Sequence, residues 1–229
     1  MTEREKILGR IREALQVEAP RPGQHQSHGS LRPAAGAPAA QARAWLPPVG
    51  ESAADQLTAF RTNAMNLKAA VHEAANLDAL AGLLRALAAE EGWKKIATHQ
   101  GCLTGDACGA LGLPVLQTDG GYDVHSMEQC DAAITECDAL VAQTGSVLVT
   151  NRSAGGRALS VLPPHHVVLA RREQLLRDLP AAFQLLRQKY GANYPSMISF
   201  ITGPSRTGDI ERILVLGAHG PKKLTICLV

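Results

Sequence analysis

Residues 77–105 read LDALAGLLRALAAEEGWKKIATHQGCLTG, and this stretch decides the fold class. Leu80, Leu83, Leu84 and Leu87 fall three and four apart, the stripe of a helix buried along one side. The spacing predicts a helix over 77–90, with Gly92 as its stop signal. Residues 94–98 then read as a strand that opens on a Gly-rich loop, 99–105. Another short strand, Val115–Gln117, follows. Helix, strand, Gly-rich loop and strand in alternation mark an α/β layer fold.

The pattern continues toward the C-terminus. A brief helix is expected over 126–133, then two strands, 139–142 and 147–150, joined by the polar turn Gln143-Thr144-Gly145-Ser146. After the break at Pro163-Pro164, residues 165–169 form a strand in which His165 and His166 read as strand-edge residues. A helix over 173–188 holds Pro180, which predicts a kink or a break into two shorter helices. Residues 197–201 read as a buried strand, 213–216 as another, and 224–229 as a closing strand.

Upstream, Ile7, Leu8, Ile11 and Leu15 define an N-terminal helix over 1–17. Residues 18–50 carry Pro20, Pro22, Pro33, Pro38, Pro47 and Pro48 among Ala, Gly, Gln and Ser. Such a segment buries too little apolar surface to offset its ordering entropy, so it reads as a linker. Periodic patterning returns with a helix over Ala53–Asn66 and a strand within 68–74, so the α/β domain is expected to span 51–229.

Bulk properties exclude several classes. With 3% aromatic residues, the core must be built from Leu, Val, Ile and Ala. A net charge of +2 gives no reason to expect a nucleic-acid or membrane partner. The first six residues carry both signs of charge with no apolar segment behind them, and no run approaches the ~20 residues that span a bilayer. A cytoplasmic chain is expected. Cys102, Cys108, Cys130, Cys137 and Cys227 are scattered, with no C-x-x-C pair, so neither an intrinsic cluster nor a metal site is expected.

The chemistry concentrates near the end of the chain, in Gly203-Pro204-Ser205-Arg206-Thr207-Gly208-Asp209-Ile210-Glu211 and Gly217-Ala218-His219-Gly220-Pro221. Small residues let backbone approach a ligand, hydroxyls donate, and Arg206 offers a planar fork to a carboxylate or phosphate. The expected anion site holds Gly203, Ser205, Arg206, Thr207 and Gly208, with Thr144, Gly145, Ser146 and Arg157 on the opposite wall. Asp209, Glu211 and His219 are the acid–base candidates. The structural alternative is a tight turn in which Arg206 pairs with Asp209 or Glu211, with Thr144 and Ser146 serving turn chemistry.

These residues resemble the signature of the lactate-utilisation protein C family, whose members consist of an LUD domain. Further matches are Ala132-Ala133-Ile134, Gln143-Thr144-Gly145-Ser146 and the string from Arg157 to His166, so the resemblance covers essentially the whole chain. It implies an α/β domain akin to the sugar-phosphate isomerases, CoA transferases and folate cyclo-ligases. It also implies a role in bacterial oxidation of L-lactate to pyruvate beside iron–sulfur partner proteins that carry the clusters. One departure stands out: many relatives have an acidic residue where this chain has Gln143, and an amide cannot serve as the carboxylate nucleophile that CoA transfer needs. Three functions follow: a non-redox component of a lactate-oxidising system, a stand-alone isomerase- or transferase-type enzyme, and a binding module for a small anionic metabolite.

Overall fold

The computed structural model describes residues 3–16, 47–208, 214–217 and 219–229. It divides into two compact units, Met1–Ala44 and Trp45–Val229. In the first, α1 spans Glu3–Gln16, as the apolar stripe predicts. The expected linker lies outside the described residues except for 47–50.

In the second unit, α2 (Ala53–Asn66) starts at Ser52, whose side chain accepts from Asp55 N. It leads into β1 (Ala70–Glu73). Helix α3 (Leu77–Glu91) buries Leu80, Leu84 and Ala88 and ends at Gly92 in the left-handed conformation. Then come β2 (Ile96–Thr98), α4 (Thr104–Gly109), β3 (Val115–Gln117), α5 (Val124–Glu128) and β4 (Ala132–Glu136). Strands β5 (Ala139–Val141) and β6 (Ser146–Thr150) form the expected antiparallel pair. They are followed by β7 (His165–Ala170), a 3-10 turn (Arg172–Gln174), β8 (Leu175–Leu176), α6 (Leu179–Tyr190), β9 (Ile198–Ile201), β10 (Arg206–Gly208), β11 (Leu214–Leu216) and β12 (Lys223–Leu228).

Four expectations need correction. His165 and His166, expected at a strand edge, are buried in β7, which lies between β12 and β4. Ala132 and Ala133 lie in β4, not in a helix: α5 is only five residues long, and β4 is a central strand with no polar face. Its entry is pinned by Asp131, whose Oδ2 accepts from Lys94 N (2.7 Å) and Lys95 N (3.0 Å). The helix expected over 173–188 is divided. Leu175 and Leu176 pair with β5, and Pro180 falls in the first turn of α6, where its missing N–H costs no bond. Strand β9 is an edge strand with Ile198 exposed, rather than a buried one.

Six parallel strands in the order β1-β12-β7-β4-β2-β3 make the main sheet, and β8-β5-β6-β9 make a smaller one. Helices α3 and α4 cover one face of the main sheet through Leu80, Leu84, Ile96, Ile134 and Val167. The other face packs on α2 and the small sheet through Phe60, Ala64, Leu140, Val147, Val168 and Ile226. The far face of the small sheet, through Val141 and Leu148, packs on α6. Fully burying a side chain of this size stabilises the fold by about 1.5–3 kcal/mol.

Candidate functional site

The cavity of interest, about 220 Å³, lies where β7 and β12 begin. His166, second residue of β7, and Leu224, second residue of β12, pair in register beneath it. Ser160 and Val161 come from the segment entering β7, and Gly220 and Pro221 from the one entering β12. Ile201, Thr202, Gly203, Pro204 and Ser205 descend from the end of β9, and exposed His219 completes the lining.

Helix α2 holds two of the loops around this site. Gly145 has φ +65°, and a Cβ there would collide with the backbone of Asn63 and Ala64. Gly203 has φ +86°, and a Cβ there would press on the Leu67 carbonyl. Both glycines therefore serve close packing against the end of α2. Asn63 Nδ2 reinforces the contact by donating to the carbonyls of Ala142 (2.9 Å) and Gln143 (3.0 Å). The buried Gln143 side chain donates to Pro47 O (3.1 Å) and does not line the cavity.

His166 is fully buried, and burial, with His165 beside it, pushes its pKa down to about 3. It is a neutral imidazole at physiological pH. Its Nε2 shares a hydrogen bond with Thr135 Oγ1 (2.9 Å), whereas Nδ1 has no partner in the protein. Ser146 Oγ donates to Thr144 Oγ1 (2.7 Å) and meets Thr202 Oγ1 at 2.8 Å. A hydroxyl has one proton, so Ser146 accepts from Thr202, and the Thr202 proton is turned away from the cavity. Ser160 Oγ likewise donates to Arg157 O (3.2 Å).

The residues expected in the site are thus only partly gathered. Gly203, Ser205 and His219 line the cavity. Arg206 is exposed and not among the lining residues, with Nη2 3.5 Å from the carbonyl of the lining residue Thr202. The backbone of Thr207 and Gly208 lies in β10, paired with β11. Ser146 reaches the site through Thr202, whereas Thr144, Gly145 and Arg157 are not among the lining residues. Arg157 reaches Ser196 O at 3.5 Å. Asp209 and Glu211, and with them any pairing to Arg206, lie outside the described residues. Residue-by-residue reading missed His166 and Ser160 as lining groups. The signal for His166 was the period of two in β7, which puts it on the same face as Val168 and Ala170.

The profile of the LUD domain matches residues 57–229. The chain belongs to the LUD domain family. Among curated relatives, the lactate utilization protein C of Anoxybacillus flavithermus is 35% identical over 112 residues, 49% of this chain and 50% of that one. Its Bacillus subtilis counterpart is 33% identical over 123 residues, 52% and 51% of the two chains. This LUD domain chain therefore spans about half the length of the curated relatives it matches. A crystal structure of a DUF162 family protein from Deinococcus radiodurans shares the fold, with TM-score 0.61 and 20% identity, covering 79% of this chain and 99% of that one.

Proposed function

We propose that this chain serves bacterial L-lactate utilisation as a component without a redox centre of its own, working beside iron–sulfur partner proteins, and that its cavity takes a small carboxylate. The relatives' names support the physiological setting. The observation that carries the ligand class is the cavity itself. Ser205 and buried His166, whose Nδ1 has no partner in the protein, belong to the wall, and the Arg206 guanidinium lies beside the lining residue Thr202, around a space otherwise walled by Val161, Ile201, Pro204 and Leu224. A small anion with an apolar body suits that combination.

Assigning the clusters to partners is supported by the thiols. Cys108, Cys130, Cys137 and Cys227 are buried, and burial raises their pKa values, Cys227 to about 12. Buried neutral thiols are poor metal ligands. Among the described residues, no three His, Cys, Asp or Glu side chains are grouped to hold a metal ion, and no helix is long and apolar enough to cross a membrane. A second reading, acid–base catalysis on the bound anion, rests on His219 opening from the same cavity to solvent.

Calorimetric titration of the full chain with L-lactate and with pyruvate tests the proposal. Arg206→Ala should weaken binding about ten- to a hundredfold, the effect of about 1.5–3 kcal/mol for a hydrogen bond to a charged group. Arg206→Lys keeps the charge but loses the fork, so its loss should be smaller. Wild-type chain that binds neither anion, or an Arg206→Ala protein with lowered melting temperature and unchanged affinity, refutes the site. Turnover of either anion by the isolated chain would favour the second reading.

A further inference from the structure

Charge is unevenly spread along this chain. Residues 139–208 hold eight Lys and Arg against two Asp and Glu, whereas the remainder holds fifteen against nineteen. Those two carboxylates are Glu173, in the 3-10 turn, and Asp178, which is buried and accepts from Ala181 N at the start of α6. From Leu179 to Gly208, through α6 and β9, there is no carboxylate at all.

A groove of about 440 Å³ runs between α6 and β9, lined by Phe183, Leu186, Arg187, Tyr194, Ile198 and Phe200. Phe183 is 49% exposed, Tyr194 46% and Ile198 37%, so three large apolar side chains stand partly open to solvent in one groove. Strand β9 pairs with β6 alone among the described strands, so its outer edge carries unpaired backbone groups. Cations gather at the border. Arg152 Nη2 reaches Asn193 Oδ1 (3.1 Å) and Arg157 Nη2 reaches Ser196 O (3.5 Å), beside Arg187 in the lining. An apolar, aromatic centre with an Arg-rich border is the composition of a protein interface.

We propose that the groove between α6 and β9 is the docking surface for an acidic partner protein, one that offers an apolar segment flanked by carboxylates. A second copy of this chain is a poor occupant. In a two-fold contact the same face meets itself, so Arg152, Arg157 and Arg187 would oppose like charges with no carboxylate of α6 or β9 between them. Nucleic acid needs cations at the centre, where this surface has aromatic side chains. A membrane surface needs apolar side chains standing out from one face, and these line a groove.

The test rests on the partner reading above, with the iron–sulfur lactate-utilisation proteins of the same organism as the probe. Purified full chain is immobilised and each partner is passed over it across a salt series. Phe183→Glu and Ile198→Glu should each raise the Kd at least about tenfold, as loss of a central anchor does. Arg187→Glu should slow association several-fold and flatten its salt dependence. Lys94→Glu, the same charge change on an exposed residue away from the groove, should stay within about twofold. Unchanged melting temperatures confirm that each variant is folded. If the wild type binds a partner and all three groove variants bind equally well, this surface is wrong while the partnership stands. If the wild type binds neither partner, both fall. Sedimentation showing dimers that Phe183→Glu dissolves, or wild-type binding to phosphatidylserine vesicles that Arg187→Glu abolishes, overturns the proposal in favour of a second copy or a membrane.

Discussion

The two ends of the parallel strands are finished in opposite ways. At the carboxyl ends, where open α/β sheets usually bind ligands, the protein fills the crevice between β2 and β4 with its own groups. The Glu136 carboxylate accepts from Leu103 N (2.6 Å) and Thr104 N (3.2 Å), the amides that open α4. Glu136 N donates to His99 Nε2 (3.2 Å), so His99 Nδ1 carries the proton and donates to Gln100 O (3.2 Å). Glu136 Oε1 and both ring nitrogens of His99 thus have partners inside the protein. At the amino ends of β7 and β12, by contrast, buried His166 keeps an unpartnered nitrogen beside a cavity. Burying a polar atom without a partner costs about 1–3 kcal/mol, a cost that a bound ligand offering a hydrogen bond would recover. The carboxyl-end crevice therefore contributes stability, and the amino-end cavity is where recognition is proposed.

The largest effect should come from opening the filled crevice. Glu136→Ala removes a charged acceptor from two amides and should destabilise the fold by about 2–3 kcal/mol. For a chain of this size that lowers the melting temperature by roughly 4–12 °C. Affinity for L-lactate should stay within about twofold. A Glu136→Ala protein that melts normally but no longer binds would reverse the roles assigned to the two ends.

A second test uses pH. His166 and His165 both stay neutral in the fold, with pKa values pushed down by burial to about 3 and about 4. In the unfolded chain each titrates near 6.5. Above that value the two states hold equal protons and neither imidazole affects stability. As pH falls below it, the unfolded chain gains protons that the fold refuses, so stability declines by up to about 1.4 kcal/mol per pH unit for each ring. The Asp138 carboxyl is raised by burial, but its bonds to Lys189 Nζ (2.6 Å) and Tyr190 OH (2.6 Å) outweigh this and hold it below the ordinary range. Its contribution is lost only at still lower pH, outside this window. Between pH 7 and 5 the melting temperature should fall by about 4–8 °C per ring, and His166→Gln should remove about half of that slope. An unaltered slope in the variant would mean that His166 is protonated in the fold, and the neutral-imidazole description of the cavity would fail.

Much of the fold was legible because period and punctuation agreed. Ala53–Asn66 appears as expected, and Gly92 stops α3 at the predicted place. Strand β4 was not legible: Ala132, Ala133, Ile134 and Thr135 are buried on both sides, so no alternation marks them, and two alanines suit a helix equally well. At the site, the close neighbour of Gly145 and Gly203 is the end of helix α2. Sequence alone cannot say which backbone will lie against a glycine. The same limit hid His166, because its environment is assembled from β4, β7, β9 and β12, which are distant along the chain.

The smallest test concerns Thr202, which lines the cavity but whose proton is assigned to Ser146. Thr202→Val keeps the shape and removes the hydroxyl, ending the chain of hydroxyls from Thr202 through Ser146 to Thr144. Because Thr202 is exposed and Ser146 keeps its bond to Thr144, the loss should sit near the low end of a neutral hydrogen bond, about 0.5–1 kcal/mol. That corresponds to a melting temperature lowered by roughly 1–4 °C. L-lactate affinity should hold within about twofold, since the missing proton never faced the anion. A tenfold loss of affinity at constant melting temperature would show that Thr202 donates into the cavity. The hydroxyls would then run the other way, Thr144 to Ser146 to Thr202, and Thr144 and Ser146 would join the anion site through it.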